Sequence, residues 1–318
     1  MKKIINSIIV LTTTAALFLT ACGSTPSSDS AAVTTPINVL ASTSFLADIA
    51  QNVAGDRLTV ASLLPFGADP HAYQAAPTDV AKIAESNLLI LNGVEYEHFI
   101  EPLLENAGGE RLVIEATAGL TPHQMEEHEG EVQTEGEEGH DHSAGDPHMW
   151  LDPNLVITYV ENIRDGLIEV DAEGADTYTA NAAAYIAQLK DLDKWIVEQV
   201  NTIPAERRLL VTNHEAVGYF AERYGFEIVG AVIPSLSTDA GTSAKEMAAL
   251  IEQIKTTGAP AIFLSEVENP DLANQIADET GVKVVDSLYL ETLTDGAPAA
   301  TYIEMMKYNV TQIVEGLK

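Results

Sequence analysis

Eight short apolar, β-rich runs punctuate the chain, four on each side of one long helical stripe, and this alternation restricts the fold more than any other feature. The first four runs lie at residues 37–43, 58–65, 87–93 and 111–116; the second four lie at 208–214, 227–234, 261–266 and 282–288. Segments between them, such as FLADIAQNVA and DVAKIAES, carry helical spacing, the second announced by Pro77 and Thr78. Strands separated by helices imply βα units and parallel sheets. The stripe itself is Tyr178, Ala182, Tyr185, Leu189, Leu192, Ile196 and Val200, stepping by four and three. That keeps one apolar face for about six turns, or roughly 35 Å, enough to run the length of two lobes. The predicted fold is α/β: two (β/α)4 lobes with parallel sheets, residues 37–175 and 204–318, joined by a backbone helix at 176–203. A chain of 318 residues suits two cores better than one.

Three segments fall outside this alternation. Lys2 and Lys3 precede a mostly apolar stretch, residues 4–19, and then LTAC ends at Cys22, the single cysteine of the chain. This pattern resembles a bacterial lipobox, so residues 1–21 read as a lipoprotein signal peptide and Cys22 as the lipidated residue. Residues 22–36, rich in Ser, Thr, Pro and Ala, read as a flexible tether. The expected location is extracytoplasmic, anchored to the bacterial cell membrane by lipid. No other stretch approaches the ~18 apolar residues that span a bilayer. Residues 124–147 hold nine acids, four glycines and three histidines, without lysine or arginine, and predict an aperiodic mobile loop. After it, DPNLVITYVENIRDGL resumes a helix, with Asp152 as N-cap and Pro153 at the first helical position. A formal charge of −32 would repel a phosphate backbone, so nucleic acid is excluded as a partner. The same charge suits cation attraction, and equally suits plain solubility.

In open α/β sheets ligands bind beyond the carboxyl ends of the strands. His71 follows the run at 58–65, His214 ends the run at 208–214, and Asp286 follows the apolar part of the last run. His148 lies between the acidic segment and a helix start. Facing each other across a cleft, His71 and His148 from one lobe with His214 and Asp286 from the other make a four-coordinate set for Zn2+. Each also has a plainer reading as a turn, capping or loop residue, and Glu266 and Glu291 are rival acids. Spacing alone leaves these alternatives open. His98, in EYEHF, reads as an ordinary helix residue.

GADPHAYQAAPTDVAKI, DPHMWLDP, TNHEAVGYFAERYG and ATYIEMMKYN resemble the signature stretches of the zinc/manganese solute-binding lipoproteins of ABC importers, the cluster A-I group, over residues 37–318. The resemblance implies a metal held between two lobes on a rigid helix, with ligands at His71, His148, His214 and the acid at Asp286. Manganese-type members resemble this chain but carry a carboxylate at the place of His214, so TNHEA implies the zinc branch. The implied work is high-affinity Zn2+ capture outside the membrane and delivery to a permease driven by a cytoplasmic ATPase. This chain carries no GxxxxGK[ST] loop of its own. Zn2+ would be transported ligand, and the protein a monomeric binder, not an enzyme. His128, His140 and His142 make a possible auxiliary metal site, against the default of a solvated acidic loop. The alternatives are a manganese importer component, a surface adhesin or zinc buffer, and a zinc hydrolase, the last opposed by the lack of any HExxH-type spacing.

Overall fold

Each expected apolar run forms a strand, and in both halves the strands are short and their order is the same. In the first sheet β1 (Val39–Ala41), β2 (Val60–Ser62), β3 (Leu88–Leu91) and β4 (Leu112–Glu115) lie in the order β2-β1-β3-β4. In the second, β5 (Leu209–Thr212), β6 (Glu227–Ala231), β7 (Ala261–Ser265) and β8 (Lys283–Leu288) lie in the order β6-β5-β7-β8. All pairings are parallel. Parallel sheets are covered on both faces, and β3, β5 and β7 are buried at every residue. The computed structural model describes residues 36–124, 145–265 and 267–318. The expected signal peptide, Cys22, His128, His140, His142 and the rival acid Glu266 lie outside the described residues, as does the tether apart from Pro36.

Alternation along the strands divides the apolar residues between two layers. Leu40, Leu89 and Leu91 pack outward with Ile83 of α2 (Pro77–Glu85) and with Ile100 and Leu103 of α3 (Ile100–Ala107). Val211, Ile262 and Leu264 pack outward with α7 (Ala244–Thr257) and α8 (Asp271–Thr280). The opposite faces of both sheets share one continuous core. It contains Val39 and Ile90 from the first sheet, Leu210 and Phe263 from the second, and the buried faces of five helices. These are α1 (Ser44–Ala54), α4 (Val156–Val170), α5 (Ala175–Val200), α6 (Gly218–Tyr224) and α9 (Tyr302–Leu317). Two glycines allow the closest approaches: a Cβ on Gly166 of α4 would meet Ile114 at 2.8 Å, and one on Gly316 of α9 would meet the Phe263 ring at 2.8 Å.

The stripe from Tyr178 to Val200 is the buried face of α5, whose 26 residues rise about 39 Å. α5 packs against α1, α4, α6 and α9. One start differs from expectation. α4 begins at Val156, because the Asp152 carboxylate accepts the N–H of Asn154 (2.8 Å) in a tight turn following a 3-10 turn at Met149–Leu151. His98 lies in a turn before α3, not within a helix. Among the described residues no helix is long and apolar enough to cross a membrane.

Asp48 of α1 ties the first half of the chain to α9 by accepting the N–H of Tyr302 at 2.9 Å. Burial pushes its carboxyl from 3.8 up to about 6, against the lowering effect of that hydrogen bond. The folded chain therefore holds this proton more tightly than the unfolded one. The stabilisation is fully present below about pH 4 and is lost as pH rises through about 6. Asp48→Asn keeps an acceptor and removes the titration. Relative to this variant, the wild type should lose roughly 2–3 kcal/mol between about pH 3.5 and 8. Paired urea unfolding curves measure this, and a gap that does not change with pH contradicts it.

Candidate metal centre

Four loops, each leaving the carboxyl end of a strand or preceding a helix, converge between the two sheets. The β2–α2 loop brings His71, the segment before α4 brings His148, the β5–α6 loop brings His214, and the β8–α9 loop brings Glu291. One ligand-capable atom from each lies within 4.8 Å of the others. Nε2 of His71, His214 and His148 stands 2.8, 3.4 and 3.5 Å from Oε1 of Glu291. The four side chains are at most 2% exposed. The imidazole rings lie 5.3 to 5.7 Å apart, centre to centre.

The structure brings His71, His148 and His214 together, and the acid beside them is Glu291; Asp286 is not part of the cluster. The reason lies in β8, which runs on through Leu288, so Asp286 lies inside the strand and is exposed to solvent. The position just beyond the carboxyl end of the strand belongs to the Tyr289–Glu291 segment. The stretch 289–293 is tied to the first lobe at three points. Trp150 Nε1 donates to the carbonyl of Leu290 (2.7 Å), Gly67 N–H donates to the hydroxyl of Thr292 (3.0 Å), and Leu293 N–H donates to the hydroxyl of Ser44 (2.8 Å).

Electrostatics follow from burial and proximity. Burial alone would raise Glu291, but the charge of His71 and the closeness of all three imidazoles hold its carboxyl well below the usual range. Burial would lower His214, yet Glu268 and Glu291 push it up to about 10. His148 is likewise opposed by burial and raised on balance by Asp146 and Glu291. Nε2 of His148, Nε2 of His214 and Oε2 of Glu291 are buried and form no hydrogen bond. Unpaired buried groups of this kind each cost about 1–3 kcal/mol. A divalent cation at the point they share would satisfy all of them.

Sequence reasoning missed the residues behind this cluster. Asp146 Oδ1 lies 2.8 Å from His148 Nδ1, and Glu268 Oε1 lies 2.7 Å from His214 Nδ1. Tyr96 packs edge-on against His71 and His148, on a turn where Gly93, Val94 and Glu95 all have positive φ (91°, 56° and 55°). That conformation is strained for a β-branched residue such as Val94. The turn is held by the buried Glu97, which accepts from the Ser42 hydroxyl (2.6 Å) and the N–H groups of Asn92 (2.6 Å) and Gly93 (3.2 Å). Burial pushes the Glu97 carboxyl up to about 7 despite these donors. Neither GDPH, which holds Asp146, nor SEVENP, which holds Glu268, carries a sequence signal that singles these acids out. His123, at the edge of the acidic segment, stacks on Tyr219 and pairs with Glu222 at 2.9 Å.

The chain is similar to known metal-binding proteins in sequence and in fold. The family described as zinc-uptake complex component A, periplasmic, matches residues 39–316. The manganese-binding lipoprotein MntA of Halalkalibacterium halodurans is 33% identical over 318 residues, covering 100% of this chain and 99% of that protein. Among solved structures, the periplasmic zinc-binding protein TroA of Treponema pallidum superposes with a TM-score of 0.77 at 27% identity, over 89% of this chain and 99% of its own. The Mn-bound periplasmic metal-binding protein of Candidatus Liberibacter asiaticus gives 0.76 at 28% identity, over 89% of this chain and 100% of its own.

The two acids separate cleanly by mutation. Glu291→Gln should weaken divalent-metal binding at least about 100-fold, the equivalent of about 3 kcal/mol, because a charged group at the centre of a buried cluster is removed. Asp286→Asn should leave affinity within about twofold. Competition titration against a chelator measures both, and equal losses would contradict the geometry.

Proposed function

The chain belongs to the zinc-uptake complex component A family, and from that premise we propose that it captures Zn2+ outside the cytoplasmic membrane and delivers it to an ABC permease. It is a metal-binding component of an importer, not an enzyme, as its family is. Its work therefore requires a permease and an ATPase on other chains. The metal preference is the finer reading, and one observation carries it: three imidazoles and one carboxylate converge at a buried point. Imidazole suits Zn2+, whereas Mn2+ favours a larger share of oxygen donors. His71, His148, His214 and Glu291 are the ligands in this reading, and four protein ligands close the site to the water that a zinc hydrolase needs. All four come from one chain, so the site needs no residue from a second copy.

Capture follows from charge. The acidic surface raises the local cation concentration, and three neutral imidazoles with one carboxylate then replace the hydration shell, leaving a net charge of about +1 on ion and ligands. Release works through loops. α5 belongs to the core shared by both sheets, so a wide hinge opening would expose that core to water. The β2–α2 and β8–α9 loops carry His71 and Glu291 and can move without doing so. The lipobox-like LTAC and the lipoprotein relatives support anchoring through Cys22 after removal of residues 1–21.

Manganese is the second reading, favoured by the name of the 33% identical relative. Almost any site of this type binds Zn2+ more tightly than Mn2+ in a test tube, so affinity alone does not separate the two. Replacement does. His214→Glu should narrow the Zn2+-over-Mn2+ preference at least about tenfold. In cells lacking the gene, growth under chelation should be rescued by Zn2+ at lower concentration than by Mn2+. Rescue by Mn2+ alone would sink the zinc reading.

A further inference from the structure

Two of the three imidazoles at the site are backed by a buried carboxylate, and the third is not. Glu268, in the β7–α8 loop, is 1% exposed at its side chain. Its Oε1 lies 2.7 Å from His214 Nδ1, and its Oε2 accepts the N–H of Ser265 at 2.5 Å. Asp146 repeats the arrangement, with Oδ1 accepting the His148 backbone N–H (2.9 Å) and facing Nδ1 of the same ring (2.8 Å). His71 Nδ1 is buried and makes no hydrogen bond.

What stands at Nδ1 decides what Nε2 can do. A carboxylate accepts the Nδ1 proton, so the lone pair is left on Nε2, and the anion also fixes the ring plane and strengthens the nitrogen as a donor. Nε2 of both backed rings points toward Glu291. Glu268 itself is not one of the four clustered groups. We infer that Glu268 is a positioning residue for metal binding: through His214 it holds Nε2 aimed, with its lone pair free, at the shared point, and Asp146 does the same through His148. This rests on the metal reading of the site.

Glu268→Gln isolates the effect at nearly constant volume. The native carboxylate meets two donors, Ser265 N–H and His214 Nδ1–H, and so uses two acceptors. An amide offers one acceptor end and one donor end. With its NH2 toward His214, the ring must carry its proton on Nε2, where the ion would bind. With its NH2 toward Ser265, donor faces donor.

The experiment titrates Zn2+ against a chromophoric chelator in the full chain, comparing wild type, Glu268→Gln, His214→Ala and the double variant. Glu268→Gln should bind one Zn2+ per chain about 10–100-fold more weakly, with the unfolding temperature of the metal-free protein unchanged. In the His214→Ala background the same substitution should change affinity less than about twofold, since the path through the ring is gone. An affinity within about twofold of wild type for Glu268→Gln overturns the inference, and so does an equal loss in both backgrounds. Should Glu268→Gln unfold early, Glu268→Asp, which keeps both acceptors, must recover most of the affinity, and failure to do so also overturns it. A wild type that binds no Zn2+, or a His214→Ala variant as tight as wild type, defeats the metal reading itself and this inference with it.

Discussion

Glu291 is a carboxylate with a fully buried side chain, and its ion-pair partners among the described residues are three histidines. A buried charge in that position is tolerated only where something positive shares the space. Much of the molecule is arranged around keeping it there. The loop that carries it leaves the second sheet, yet its backbone and flanking hydroxyl are bonded to Trp150, Ser44 and Gly67 of the first half of the chain. Tyr302, just after that loop, donates its hydroxyl to the carbonyl of Trp150 (2.6 Å) and its N–H to Asp48. The acid thus comes from one lobe in sequence and is held by the other in space.

This stitching explains why the site can be stiff without a rigid loop of its own. The inner faces of both sheets drain into one core, with α5 packed between helices from each half. A wide opening of the lobes would expose that core, whereas local motion of the ligand-bearing loops would not. A second bond bridges the lobes at the mouth of the site. Asp69 accepts the N–H of His71 through Oδ1 (2.9 Å) and the hydroxyl of Thr238 through Oδ2 (2.7 Å). The backbone of one ligand is thereby tied to the opposite lobe.

The fold was legible because its signals are periodic. Four-three spacing from Tyr178 to Val200 marks the buried face of α5 residue by residue, and eight apolar runs mark eight strands. The three histidines were legible because loops at the carboxyl ends of parallel strands converge, and histidine is scarce in the chain. The acid was legible only as a choice between Asp286 and its rivals Glu291 and Glu266, for a local reason. Val282 to Leu288 supports either a strand that ends at Val285 or one that continues, and only the pairing of Ser265 with Leu288 settles that β8 continues. The backing carboxylates were invisible for a different reason. Nothing in SEVENP distinguishes a solvated turn acid from Glu268, whose role exists only through a contact 54 residues away.

X-ray absorption at the zinc edge of the loaded protein reads the donor set itself. Four N/O donors at about 2.0–2.1 Å are expected, with multiple scattering from three imidazoles. A shell of five or six oxygen-dominated donors, or scattering from one imidazole or none, would contradict it.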